Sequence, residues 1–215
     1  MNTDPVTMLE KLRKFGGERE TEGLPDDIIR DFCDRDETLT QAIEQAAEEH
    51  RRLREEFGKE LALPEKELCV RVQSDLENFY PRNTRNPFVA IAAAGPWVVT
   101  SHGAVLHDSA GYGMLGMGHS DPKLLEAMGR PWVMANVMTP QFSQKRFSDR
   151  LKREIGHARG SCPFSDFICM NSGSEAVSVA SRIADINALR HTGEGGRHQG
   201  KEIKQLAIEE GFHGR

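Results

Sequence analysis

Cysteine is sparse and irregular: Cys33, Cys69, Cys162 and Cys169 form no CxxC pair and no disulfide-framework spacing, so free thiols in a reducing compartment are expected. No run of about 18 apolar residues occurs, and the first twenty residues lack the apolar centre of a secretory signal, which excludes a helical membrane span from the expectation. Lys11, Arg13 and Lys14 stand among Asp4, Glu10, Glu18, Glu20 and Glu22, an acidic neighbourhood foreign to transit peptides, and a cytoplasmic location follows. Positive charge is not in excess either. With 28 basic against 33 acidic residues and a net charge of −5, the chain offers no basic stripe for a phosphate backbone, and nucleic acid is excluded as a partner. HExxH, GxSxG, cysteine clusters and internal repeats are all missing, so neither a metal centre nor a serine-hydrolase elbow is assigned.

What is present divides by texture. Residues 1–85 are charged, poor in β-branched residues and built of two or three helical runs between breakers. The clearest is Glu37 to Phe57, where Leu39, Ala42, Ile43, Ala46, Leu53 and Phe57 recur on one face and Gly58 supplies a stop. A second run after Leu63-Pro64 carries Leu68, Val72, Leu76 and Phe79 on one stripe up to Tyr80-Pro81. From Asn86 the sequence turns to short apolar runs cut by glycine, which predicts a small antiparallel unit. Asp121-Pro122 opens a helix through Met128, since aspartate caps free N–H groups and proline suits the first helical position. Phe142, Phe147, Leu151 and Ile155 mark another, closed by Gly156.

The stretch from Phe164 to Met170 reads as a strand, Asn171 to Glu175 as a tight polar turn, and the residues to about Arg190 as a long helix. A second strand is expected over Ile203 to Ile208, giving a β-α-β unit and the opening of an α/β domain with a parallel sheet. Two nucleotide-like patterns do not qualify. Gly111-Tyr112-Gly113-Met114-Leu115-Gly116 spells GxGxxG, but the next helix waits until Asp121-Pro122; Gly195 to Lys201 spells GxxxxGK, but Glu202 replaces the magnesium-binding hydroxyl and no helix follows. The Asn171 turn is the better anion site, because a helix launched from Ser-Gly-Ser presents free N–H groups, a hydroxyl and the positive end of the helix dipole. Capping by Asn171 and Ser172 explains the same residues equally well.

Three segments resemble class III, fold-type I pyridoxal-phosphate (PLP) aminotransferases. NSGSEAVSVASRIA, starting at Asn171, is similar to the segment with which that family binds the cofactor phosphate; Glu210 to Arg215 resembles its GFHGR segment; and Asp108 to Met128 resembles its glycine-rich stretch ending in GHxxPK. The resemblance covers about Asn86 to Arg215. It implies a fold-type I α/β architecture: a helical N-terminal extension at 1–85, the N-terminal segment of the small, dimer-facing part at 86–160, and the start of the large PLP-binding domain at 161–215. It further implies PLP as cofactor, with Ser172, Gly173 and Ser174 around the phosphate, Phe212 on the ring face, His213 beside the ring or its 3-oxygen, and Tyr112 facing substrate. The implied activity is transfer of an amino group from an amino-acid or ω-amino donor to a 2-oxo acid by a homodimer. The family's Schiff-base lysine and pyridine-binding aspartate lie beyond the GFHGR segment, so no catalytic residue is assigned, and Lys201 and Lys204 are declined for that role. An N-terminal fragment, inactive by itself and prone to aggregate through unpaired sheet edges, is therefore expected. The competing expectations are a non-catalytic protein that binds phosphate, PLP or a partner subunit, and an aminomutase or decarboxylase on the same fold.

Overall fold

The computed structural model describes residues 4–77, 85–109, 116–134 and 138–209. They fall into two units, residues 1–132 and 133–215.

The first unit begins with four helices: α1 (Pro5–Phe15), α2 (Asp26–Cys33), α3 (Glu37–Leu61) and α4 (Glu65–Val72). Helix α1 starts where the Asp4 carboxylate accepts the Thr7 N–H at 3.1 Å and Pro5 takes a position whose amide no helix would use. Its buried residues, Val6, Leu9 and Leu12, recur every three positions and form one stripe. Helix α3 buries Leu39, Ala42, Ile43 and Ala46, the stripe expected from spacing. It runs through Gly58 to Leu61, with a break from helical backbone at Phe57 (φ −128°, ψ 35°), and Phe57 itself is exposed. Helix α4 is shorter than its apolar stripe suggests. Past Val72 the Ser74 amide and hydroxyl both turn back to the Arg71 carbonyl, so a local turn replaces the next helical turn. Phe79 and Tyr80 lie outside the described residues.

The antiparallel unit is a three-stranded sheet in the order β1 (Ala90–Ala94), β2 (Trp97–Thr100), β3 (Val105–His107). Ala94 pairs with Trp97 across a two-residue turn whose first residue, Gly95, has φ +53°, the left-handed backbone such hairpins favour at that position. Register slips between Ala90 and Ala92, where Ile91 forms a bulge. Helix α3 lies on β1 and β2, and the small side chains Ala92 and Ala94 let it come close. One core results: Leu9, Leu12, Ile29, Leu39 and Ile43 from the helices meet Trp97, Val99 and Val105 from the sheet. The texture change near residue 86 thus marks a change of secondary structure, while the hydrophobic core runs across it.

Asp36 joins the two parts. One carboxylate oxygen caps α3 through the Thr38 amide (2.9 Å) and hydroxyl (2.6 Å), and the other accepts the Trp97 indole N–H at 2.7 Å. Those hydrogen bonds, Thr38's first, hold its carboxyl below the usual aspartate range. Asp36→Ala removes a cap and orphans a buried indole N–H, and a loss of about 2–4 kcal/mol is expected in urea unfolding. Asp36→Asn, which keeps an acceptor, should lose less than half of that; equal losses would mean the carboxylate charge and not the bonding geometry dominates.

Asp121 caps α5 (Pro122–Met128) as its sequence suggests, accepting the Lys123 and Leu124 amides at 2.9 and 3.0 Å. The second unit holds α6 (Phe142–Gly156) and α7 (Gly173–Thr192). Here two expectations are corrected. Neither 164–170 nor 203–208 is a strand, and the described residues contain no parallel sheet. A strand needs a neighbour to take its amides and carbonyls, and no described segment supplies one to either stretch. Phe164, Ile168 and Met170 accordingly stay exposed beside Ile183 and Ile186 of α7, and an open groove runs between them. The described residues contain no helix long and apolar enough to cross a membrane.

Candidate functional site

The turn that opens α7 is built from Asn171 to Glu175. Ser172 is the N-cap, with extended backbone (φ −145°, ψ 158°), and its hydroxyl oxygen accepts the Glu175 amide at 3.2 Å. Glu175 returns the favour one residue earlier, its carboxylate accepting the Asn171 amide at 2.9 Å. This is a capping-box exchange displaced by one position, and the Ser-x-x-Glu spacing announces it. Capping uses the acceptor side of the Ser172 hydroxyl, and its O–H keeps its donor capacity. Asn171 contributes its amide to the arrangement.

Gly173 is different. It is the first residue of α7, its amide has no hydrogen-bond partner among the described residues, and a Cβ built there would meet nothing within 4 Å. Gly173 is exposed, and nothing crowds the side on which a Cβ would stand. Ser174 follows, its carbonyl accepting the Ser178 hydroxyl at 2.9 Å within the helix. A twenty-residue helix brings the positive end of its dipole to this point. Against it stands Glu175, an acid in the first turn with no basic first-turn partner. The turn thus combines an unpartnered N–H and a helix N-terminus with an acidic first-turn side chain.

Elsewhere the sequence-derived residues are distributed as follows. Tyr112, Phe212 and His213 lie outside the described residues. Lys201 and Lys204 are exposed; Lys204 pairs with Glu202 at 3.4 Å. The GxxxxGK stretch folds back on the end of α7: the His198 amide donates to the His191 carbonyl at 2.8 Å and the Gly200 amide to Thr192 at 3.0 Å. With no helix behind it, this loop is a C-terminal closure and not a phosphate loop. No cluster of three or more His, Cys, Asp or Glu residues that could hold a metal occurs among the described residues.

One polar arrangement escaped the sequence reading. Asp108 and His119 are tied at 3.0 Å, while Gly95 and His119 exchange backbone bonds of 2.8 and 2.7 Å. The two ends of the glycine-rich stretch are therefore brought together on the β1–β2 turn. Its signal was the His within Gly118-His119-Ser120-Asp121-Pro122, but nothing local names Asp108 as its partner.

In comparisons with known proteins, a family model described as Aminotransferase class-III matches residues 79–215, while no curated protein and no solved structure matches.

Proposed function

From the premise that this chain belongs to the class-III aminotransferase family, whose members are generally PLP-dependent, we propose that it is part of a PLP-dependent transaminase. In this reading an amino group passes from an amino-acid or ω-amino donor to a 2-oxo acid, the protein is a cytoplasmic homodimer, and the architecture is fold type I. Residues 1–85 are the helical extension, 86–160 belong to the small, dimer-facing part, and 161–215 begin the large cofactor-binding domain.

The observation that carries the reading is the Gly173 amide, without a hydrogen-bond partner among the described residues, at the head of α7 inside the family match. Gly173 would hold a phosphate oxygen through its N–H, Ser174 would add a donor beside it, and Ser172, whose hydroxyl oxygen accepts the Glu175 amide, would donate its O–H. In the family's pattern Phe212 would stack on the ring, His213 would neighbour the ring or its 3-oxygen, and Tyr112 would face the substrate. PLP, when bound, supplies the electron sink that makes the donor Cα–H acidic. None of Lys201, Lys204 or the other lysines of residues 1–215 is assigned the Schiff-base role.

The test uses the protein expressed from its complete reading frame, offered amino donors and 2-oxo acids with product analysis. A new amino acid formed from the 2-oxo acid supports the reading. Decarboxylated or isomerised donor would replace transaminase by decarboxylase or aminomutase, and PLP binding without turnover would replace it by a binding role. For the phosphate site, Gly173→Pro removes the N–H while proline is well accepted at a first helical position, and Ser172 already has the extended backbone that must precede it. We expect PLP affinity to fall roughly 10- to 100-fold with α7 intact by circular dichroism. Unchanged affinity would remove Gly173 from the site.

A further inference from the structure

We propose that His50 is an acid-sensitive latch for helix α1, protonation of its imidazole releasing the C-terminal end of α1 from the body of the first unit. His50 lies on α3 and is only 4% exposed, and its Nε2 is buried without a hydrogen-bond partner. The ring of Phe15, the last residue of α1, meets the imidazole edge-on at 5.3 Å between centroids. The Arg54 guanidinium lies over the same Phe15 ring, 4.4 Å from its centroid.

The neighbouring seat for α1 is a second buried histidine. His102, 1% exposed, has Nε2 at 3.0 Å from the Leu63 carbonyl and Nδ1 at 3.0 Å from the Ser101 hydroxyl. Because a carbonyl can only accept, Nε2 carries a proton, and in the neutral ring Nδ1 accepts from the Ser101 hydroxyl. Gly16 lies close against this ring: a Cβ there would be 2.7 Å from His102 Cδ2. Gly17 donates its amide to the same Leu63 carbonyl at 3.3 Å. Residues 15–17, the exit of α1, therefore rest together on His50, His102 and Leu63.

No carboxylate faces His50 from these elements. Arg54 of α3 and His102 of the β2–β3 turn are the charged or titratable groups acting on it, and both are cationic when charged. On α1, Arg13 is committed to the Gly103 carbonyl and to Asp26, and Lys14 to Glu10. Glu65 of α4 accepts the Glu20 and Thr21 amides. A charged imidazole would thus sit beside Arg54 with no counter-ion and no acceptor for its N–H. Burial first, then Arg54 and His102, hold the pKa down to about 4 from 6.5. The direction is set by linkage. An opened form with the ordinary histidine value takes up a proton that the closed form refuses, so closure is fully favoured above pH about 6.5 and is progressively lost as pH falls towards about 4. Between pH 7.5 and 5.0 the opening constant should rise about 30-fold.

The experiment is hydrogen exchange of the full chain at pH 5.0 and 7.5, corrected for intrinsic rates and read over Pro5–Phe15, with α7 peptides as control. The expected result is an approximately 30-fold rise in opening at pH 5.0 for α1 and none for α7, shrinking to under about 3-fold in His50→Gln. Arg54→Met, which keeps an apolar stem over Phe15, should give a smaller rise than wild type and serves if His50→Gln does not fold. An α1 that opens no more at pH 5.0 than at 7.5, a rise that survives His50→Gln, an unaltered rise in Arg54→Met, or a rise abolished by His102→Gln but not by His50→Gln would each overturn the proposal. None of these readouts involves PLP, donor or acceptor.

Discussion

A chain that starts at residue 79, where the family match begins, is expected to lose the β1–β3 sheet and not to survive as a trimmed domain. Of the twelve residues at the centre of the core, eight (Val6, Leu9, Leu12, Ile29, Leu39, Ala42, Ile43 and Ala46) precede that point, and only Ala94, Trp97, Val99 and Val105 follow it. Three short strands cannot bury an apolar face on themselves; a small sheet needs a packed layer to persist in water. The cut also removes Asp36 from the Trp97 indole, Leu63 from His102, and Arg13 from the Gly103 carbonyl. Amide dispersion and indole emission check this directly. We expect collapsed amide shifts for 90–107 and solvent-exposed emission from Trp97; a dispersed, protected sheet in the 79–215 chain would show that the helices are dispensable. The same measurement tests whether a boundary near residue 85 separates anything able to fold alone.

The second large effect is expected at Gly95. Valine there must adopt φ +53°, which costs a β-branched residue roughly 1–2 kcal/mol, and its Cβ would stand 2.6 Å from the Thr38 hydroxyl oxygen, where over-packing costs about 1–3 kcal/mol more. Gly118 presses from the other side: its own Cβ position is 2.8 Å from the Gly95 carbonyl oxygen. Gly95 is therefore held between α3 and the segment that carries His119, and a shift in either direction breaks a contact. Gly95→Val should destabilise the first unit by about 2–5 kcal/mol in urea unfolding and weaken the His119–Gly95 exchange of backbone bonds. A change below about 0.5 kcal/mol, the size of an ordinary surface substitution, would show that the turn can re-form around the side chain.

Elements whose cause is local were readable in the sequence. The α3 stripe, the Asp121-Pro122 start of α5, the α7 turn and the antiparallel character of 90–107 all depend on residues within one helical turn or one hairpin. Elements whose cause is distant were not. Asp36 meets Trp97 across 61 positions, His102 meets Leu63 across 39 and Glu65 meets Glu20 across 45, and no periodicity encodes such pairs. Local competition defeated the reading in α4, where Ser74 bends the chain before Leu76 can join the stripe. For 164–170 and 203–208 the apolar pattern describes a surface fit to be covered, but pairing is a property of two segments and cannot be read from one. At the candidate site, capping by Ser172 was legible, while the return bond from Glu175 to the Asn171 amide and the unpartnered Gly173 amide depend on how the turn folds.

Trp97 has a consequence for how the molecule can be watched. Its indole is buried, bonded to a carboxylate, tilted against Phe32 at 5.2 Å and met edge-on by His107 at 5.0 Å, while Trp132 is about half exposed. The chain therefore carries two optical gauges with different calibrations: a shielded one that acrylamide reaches only when helices and sheet part, and an open one at the limit of the first unit that quencher finds at once. A Trp132→Phe protein would report on the core alone, in a single emission band, without any attached dye.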